Sequence, residues 1–421
     1  MGPDRVGGGR VPPSRPRRPG RLPSMTDLTA TDFPPGATLR AEARIDLDAI
    51  RSNTRRLGQI VAETGSKSAA GVMAVVKADA YGHGAVPCAR AAKQGGAAWL
   101  GTALPEEALQ LRAAGLTGPI LAWLHPAGGP WDELIVHEID VTAYAPWVLE
   151  EITAAAQRCG IQARVQLKVD TGLGRGGTQP HDWLELVELA AKAEAAGHIR
   201  VTGVWSHFAC ADEPGHPSIR AQLDVFALAL AAADHAGLRP EVRHIANSPA
   251  ALSLPEAHFD LVRAGLAVYG LSPLPDTTPA DFGLRPAMTL TARVALVKNA
   301  PAEHGVSYGH IHHTAGPTTL ALVPLGYADG LPRNSSNVGE VLVGGARHRV
   351  AGRMAMDQFV VDLGDPDAVH DVHVGDEVVI FGPGDRGEPT ADDWAQATGT
   401  LNYEIVTRIG PRVPRVYVGN S

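Results

Sequence analysis

Between residues 48 and 270, short apolar runs alternate with longer alanine- and leucine-rich stretches at the spacing of βα units. The runs Val72 to Lys77, Trp99 to Ala103, Ile120 to Trp123, Val141 to Tyr144, Ala163 to Val169, Val201 to Ser206, Val242 to Ile245 and Leu261 to Arg263 predict eight strands. Their short, continuous, β-branched character suits a parallel sheet covered on both faces. Trp183 to Ala196 and Ala221 to Ala236 carry apolar residues at helical spacing and predict helices. Alternation alone fits a closed barrel or an open doubly wound sheet.

Past Pro273 the texture changes. Leu290 to Val297, Thr319 to Val323, Glu340 to Val343, His348 to Val350, Gln358 to Val361 and Glu377 to Ile380 are short, β-rich and separated by Gly, Pro and Asp turns, which predicts an all-β domain. The chain divides into a basic, proline-rich tail over 1–40, an α/β unit over 41–275 and the β domain over 276–421.

The 421 residues and 44% hydrophobic content suit a globular enzyme of two or three domains. Apolar runs stay well below the roughly 20 residues that span a bilayer, so no membrane segment is expected. Cys88, Cys159 and Cys210 are widely spaced without metal-like or redox pairing, which points to a reducing cytoplasm. A net charge of -8 argues against a nucleic-acid partner. Six arginines and one aspartate fall within residues 1–24, a stretch too poor in apolar residues to pay for ordering. Disorder is expected there, and Met25 offers an alternative translation start.

Chemistry begins at Lys77, at the C-terminal end of an apolar run and just before Gly82-His83-Gly84. In barrels and doubly wound sheets that end of the strands carries the active site. A lysine held there can lose solvation, drop its pKa and form an imine, or it can simply reach into water.

The segment Val76-Lys77-Ala78-Asp79-Ala80-Tyr81-Gly82-His83-Gly84 resembles the cofactor-lysine segment of alanine racemases, the barrel-type enzymes dependent on pyridoxal 5'-phosphate. Further segments agree in order: Leu167 to Arg175, Ser206 to Ala209, Asn247-Ser248, Val262 to Gly265, Gly305 to Gly309, Gly326 to Gly330, Gly352 to Asp357 and Asn402 to Glu404. The resemblance runs from about Ala43 to the C-terminus and implies a (βα)8 TIM-like barrel with a C-terminal all-β domain. It also implies that Ala43 to Leu47, ahead of the first barrel helix, joins the β domain.

By the same resemblance Lys77 holds the cofactor and acts as one base, and Tyr81, Asn247, Ser248, Gly265, Leu266 and Tyr403 hold its phosphate. Arg263 faces the pyridine nitrogen. A guanidinium there disfavours protonation of that nitrogen and tempers the ring, which suits proton return over side reactions. Read from the residues alone, Arg263 can equally pair with a carboxylate such as Asp260.

Racemisation needs a proton carrier on each face of a planar centre. Tyr308 resembles the second base, and His207 the histidine that links it to Arg263. A phenol, with a reference pKa of about 10, needs cationic or hydrogen-bonding help in that role. Lys168 resembles a lysine often carbamylated in the family, which as an anion would hold Arg175 against the substrate carboxylate. Tyr327, Met356 and Asp357 complete the pocket, with Tyr327 narrowing it for a substrate as small as alanine. The implied assembly is a homodimer with shared active sites and the implied role supply of D-alanine for peptidoglycan. Barrel-type decarboxylases place an acid at the pyridine nitrogen and a cysteine in the β domain, whereas all three cysteines here precede residue 211. A bare-barrel cofactor carrier would lack the β domain, and a racemase of broader specificity stays open.

Overall fold

The computed structural model describes Gly2 and residues 39–63, 70–368 and 371–419; the expected tail over residues 1–40 lies almost wholly outside them. The first strand, β1 (Ala41–Asp46), precedes eight parallel strands: β2 (Gly71–Val75), β3 (Trp99–Thr102), β4 (Ile120–Ala122), β5 (Asp140–Ala143), β6 (Ala163–Lys168), β7 (Ile199–Trp205), β8 (Val242–His244) and β9 (Leu261–Ala264). Their order, β8-β7-β6-β5-β4-β3-β2-β9, joins the last strand to the first, as a barrel requires. Closure between β8 and β9 uses two backbone bonds: Asp260 N–H donates to Arg243 O at 3.1 Å and Arg263 N–H to Ala246 O at 2.9 Å. Across the same seam Asp260 takes the Arg243 guanidinium at 2.6 Å, so it is not the partner of Arg263.

The apolar runs became strands because burial on both faces rewards continuous Val, Ile and Leu. Val141, Val165, Val204 and Val262 have no solvent exposure. The strand predicted as Val72 to Lys77 ends at Val75, with Lys77 opening the next turn. Helices Trp183–Ala195 and Pro217–His235 pack on the outside of the barrel through Leu186, Val187 and Phe226.

The second unit contains β10 (Met288–Arg293), β11 (Leu296–Ala300), β12 (Gly305–Val306), β13 (His312–His313), β14 (Thr318–Val323), β15 (Glu340–Val343), β16 (Ala346–Ala351), β17 (Phe359–Gly364), β18 (Glu377–Phe381) and β19 (Arg415–Val418). Nine strands form one sheet in the order β11-β14-β17-β16-β15-β18-β10-β1-β19. Strand β1 pairs antiparallel with β10 and parallel with β19, so the chain starts in this sheet before entering the barrel. The single run predicted over Leu290 to Val297 is divided between β10 and β11.

Two short helices interrupt the β texture. Ala391–Thr398 starts at a capping box in which Thr390 Oγ1 accepts from Asp393 N–H and Asp393 Oδ2 accepts from Thr390 N–H. The second, Asn402–Thr407, brings Tyr403 to the barrel mouth.

Candidate active site

Beyond β2 the chain makes a left-handed turn. Ala78, Asp79, Ala80 and Tyr81 have φ of 52, 52, 54 and 55°. Such geometry costs L-residues roughly 1–2 kcal/mol each, so the surroundings must over-determine it. Ala78 N–H donates to Glu107 Oε1 at 2.6 Å, and Ala85 N–H to Asp79 Oδ1 at 2.7 Å. His83 Nδ1 lies 3.0 Å from Ala80 O and 2.9 Å from Tyr81 O, which requires the proton on Nδ1. Full burial pushes His83 down to about 4, so it stays neutral. Glu107 also accepts Ala103 N–H and Leu104 N–H at 2.9 and 3.0 Å, fastening the lysine turn to the next strand end.

Lys77, Tyr81, Lys168, Arg175, His207, Asn247, Ser248, Arg263, Gly265, Leu266 and Tyr403 all line one cavity of about 640 Å³ at the C-terminal ends of the strands. Four cations face it, and among the described residues no Asp or Glu does. The Lys77 amine is held below its ordinary pKa, first by burial and then by Arg175. Burial, with Arg263 and Arg175 nearby, brings Lys168 down to about 8.

Arg263 is buried and its pKa lowered by that burial to about 9, so it remains a cation at neutral pH. Its Nη1 meets His244 Nδ1 at 2.9 Å, and its Nη2 meets His207 Nδ1 at 2.9 Å, Ser206 O at 2.8 Å and Ile245 O at 3.0 Å. A guanidinium only donates, so both imidazoles accept on Nδ1 and each carries its proton on Nε2. Burial first, then Arg263, hold His207 and His244 well below the ordinary imidazole range.

At the far side, Ser248 Oγ accepts Gly265 N–H at 2.8 Å and Ala267 N–H at 3.4 Å, and Asn247 caps helix Ser248–Ser253. A Cβ on Gly265 would fall 2.2 Å from Tyr81 Oη, so only glycine leaves that hydroxyl its place. Burial pushes the Tyr403 phenol up to about 12, keeping it a neutral donor.

Four predicted residues lie elsewhere. Tyr308 and Tyr327 line a second hollow of about 280 Å³ on the β domain, with Arg333 and Arg353. Tyr308 is 72% exposed, Met356 52% and Tyr327 37%. Gly326 permits a close backbone approach in which Tyr327 N–H and Ala328 N–H donate to Ala355 O and Met356 O. Asp357 accepts Arg412 Nη2 at 2.7 Å.

Sequence reading missed Glu107, His244 and Trp205. Trp205 carries Lys168 Nζ at 4.4 Å and Arg263 Cζ at 4.8 Å from its ring centre and stacks on His244. Only the position of Trp205 and His244 at the ends of predicted strands could have flagged them.

A strand-end lysine in a cationic barrel cavity, with a β domain carrying a separate aromatic hollow, defines a two-domain barrel enzyme. Residues 45–273 match the alanine racemase N-terminal domain and residues 287–417 its C-terminal domain. The alanine racemase of Streptomyces coelicolor is 63% identical over 388 residues, 91% of this chain and 97% of that protein. The crystal structure of alanine racemase from Streptomyces lavendulae superposes with a TM-score of 0.87 at 62% identity, covering 91% of this chain and 98% of that one. The alanine racemase of Bacillus anthracis, solved with bound L-Ala-P, gives 0.81 at 34% identity over 91% and 96%. The chain belongs to the alanine racemase family of pyridoxal-phosphate-dependent isomerases.

Proposed function

We propose that the protein interconverts L- and D-alanine with pyridoxal 5'-phosphate, as a homodimer in which each site joins one barrel to the partner's β domain. The observation that carries this reading is the separation of the two candidate proton carriers. Lys77 lies in the barrel cavity, whereas Tyr308 lies exposed beside a different hollow. A second copy supplies the missing half of each site.

The barrel residues fit the cofactor. Gly265 leaves a cradle that a Cβ would fill, bordered by Ser248, Asn247, Leu266, Tyr81 and Tyr403 for a phosphate, with Arg263 for the ring nitrogen and Lys77 as the attachment point. When bound, the cofactor supplies the electron sink that makes a substrate Cα proton labile. Lys77, whose pKa burial lowers, carries a proton on one face. Tyr308 carries it on the other, helped by the Nε2–H that Arg263 leaves on His207. Arg175 and the Met356 backbone hold the substrate carboxylate, Asp357 supports that loop, and Tyr327 limits side-chain size.

A Lys168 pKa of about 8 leaves free amine to add carbon dioxide, and the carbamate would replace a repulsion with Arg175 by an attraction. Carbon-13 NMR with labelled bicarbonate should show the carbamate; an unmodified amine in active enzyme refutes it. Cytoplasmic conditions would keep Cys88, Cys159 and Cys210 as the free thiols they are, and the D-alanine would feed peptidoglycan.

Mixing the inactive variants Lys77→Ala and Tyr308→Phe tests the shared site. Random re-pairing makes half the dimers mixed, each with one intact site, so about a quarter of wild-type activity should return. Activity that stays at the parental level removes the shared-site reading.

A further inference from the structure

Beneath the cavity one side of the barrel interior is polar, opposite an apolar cluster of Met73, Trp99, Leu121 and Leu261. Gln166 on β6, His244 on β8, and Asp140 on β5 are fully buried, as is Thr202 on β7. Thr202 falls where the β6–β7 register shifts, so it stands beside Gly203, the residue opposite Gln166. His244 Nε2 lies 2.7 Å from Gln166 Oε1, and Gln166 Nε2 donates to Asp140 Oδ1 at 3.5 Å. Asp140 also accepts Thr202 Oγ1 at 2.5 Å and Arg164 Nε at 2.8 Å. Arg164 reaches Glu241 at 3.5 Å near the surface.

The chemistry of the two ends sets every proton between them. Arg263 donates only, so His244 accepts on Nδ1 and carries its proton on Nε2. That proton needs an acceptor, which turns the Gln166 amide oxygen toward His244 and its nitrogen toward the acceptor-only Asp140 carboxylate. Reversing any link would set donor against donor or acceptor against acceptor in a dry interior, where unsatisfied groups are heavily penalised.

We propose that Gln166 and Asp140 are positioning residues for Arg263: a one-way hydrogen-bond relay locks His244 in its Nε2–H tautomer and so fixes the guanidinium toward the cavity. No carboxylate touches Arg263 among the described residues; its counter-charge stands two hydrogen-bonded side chains away. The guanidinium is thus aimed without a direct ion pair to draw it aside. The function assigned to this relay rests on Arg263 meeting the cofactor ring nitrogen.

Nitrogen-15 NMR of histidine-labelled apoenzyme reads the tautomer without the cofactor, His244→Asn identifying the signal. Wild type should show His244 protonated on Nε2 alone. Gln166→Met keeps the volume and removes both links, so His244 loses the acceptor for its Nε2–H and Arg263 is free to turn away from Nδ1; the tautomer should then become mixed and kcat fall about tenfold or more with KM little changed. The absorbance of the holoenzyme should become pH-dependent as the ring nitrogen loses its fixed neighbour. Gly203→Ala attacks the same link independently, because its Cβ would lie 2.7 Å from Gln166 Cδ. It should reproduce the Gln166→Met signature, and it keeps the test alive if Gln166→Met does not fold. His244 protonated on Nδ1 in wild type overturns the proposal, as does a folded Gln166→Met or Gly203→Ala enzyme with unchanged tautomer and kcat. Arg263→Lys separates the underlying reading: if its holoenzyme absorbance is also indifferent to pH, the ring-nitrogen assignment fails rather than the relay.

Discussion

The barrel and the β domain are prepared to different degrees. The barrel gathers Lys77, Lys168, His207 and Arg263 in one cavity and holds each away from its ordinary pKa, chiefly by burial. The β domain presents Tyr308 and Tyr327 to solvent around a smaller hollow, and Met356, next to its lining residue Ala355, is exposed as well. Desolvation tunes charge only where protein surrounds the group. The barrel half can therefore be set within one chain, whereas in the proposed dimer the β-domain half is completed by the partner's barrel.

The strongest way to break this comparison is Lys77→Ala. Loss of the attachment point and of one proton carrier should lower racemisation on the order of 10⁴-fold or more and abolish the visible band of bound cofactor. A retained band would place the attachment elsewhere. Tyr308→Phe probes the other half: activity should drop about 10²–10⁴-fold while the band persists. Normal racemisation by this variant sinks the two-base assignment and leaves the cofactor assignment standing.

A smaller effect is expected from Gly265→Ala, since displacing Tyr81 from the cradle resembles overpacking of about 1–3 kcal/mol. Cofactor affinity should weaken roughly tenfold or more, as measured by equilibrium dialysis, and an unchanged affinity would exclude the cradle. Acid gives the smallest effect at any one site. His83 and His125 are depressed to about 4, and His207, His244 and His258 are also lowered, all in the barrel; the β domain contributes His348. Unfolded imidazoles take protons near pH 6.5 and these folded ones resist until lower pH, so acid favours the unfolded state. Stability due to His83 and His125 should erode as pH falls from about 6.5 toward 4. Hydrogen exchange should show barrel amides losing protection before β-domain amides; the reverse order would contradict the contrast.

The barrel strands were legible because parallel strands covered on both faces must be written as apolar blocks, whatever lies around them. The strand-end place of Lys77 was legible for the same reason, but its left-handed turn was not. No glycine marks residues 78–81, and the conformation is held by Glu107, a carboxylate 29 positions from Ala78. The helix carrying Tyr403 hid inside a β-rich stretch because it spans only six residues, too few to show a period.

The sequence by itself determined which segments become strands, where their chemical ends fall and which residues bear reactive groups, since these follow from local hydrophobic pattern and side-chain identity. Only the tertiary structure decided which of those groups share a cavity, which are dried out and which proton each imidazole keeps. Those properties depend on neighbours many residues away, such as Gln166 and His244, 78 positions apart, and on a dielectric that exists only once the chain has closed around them.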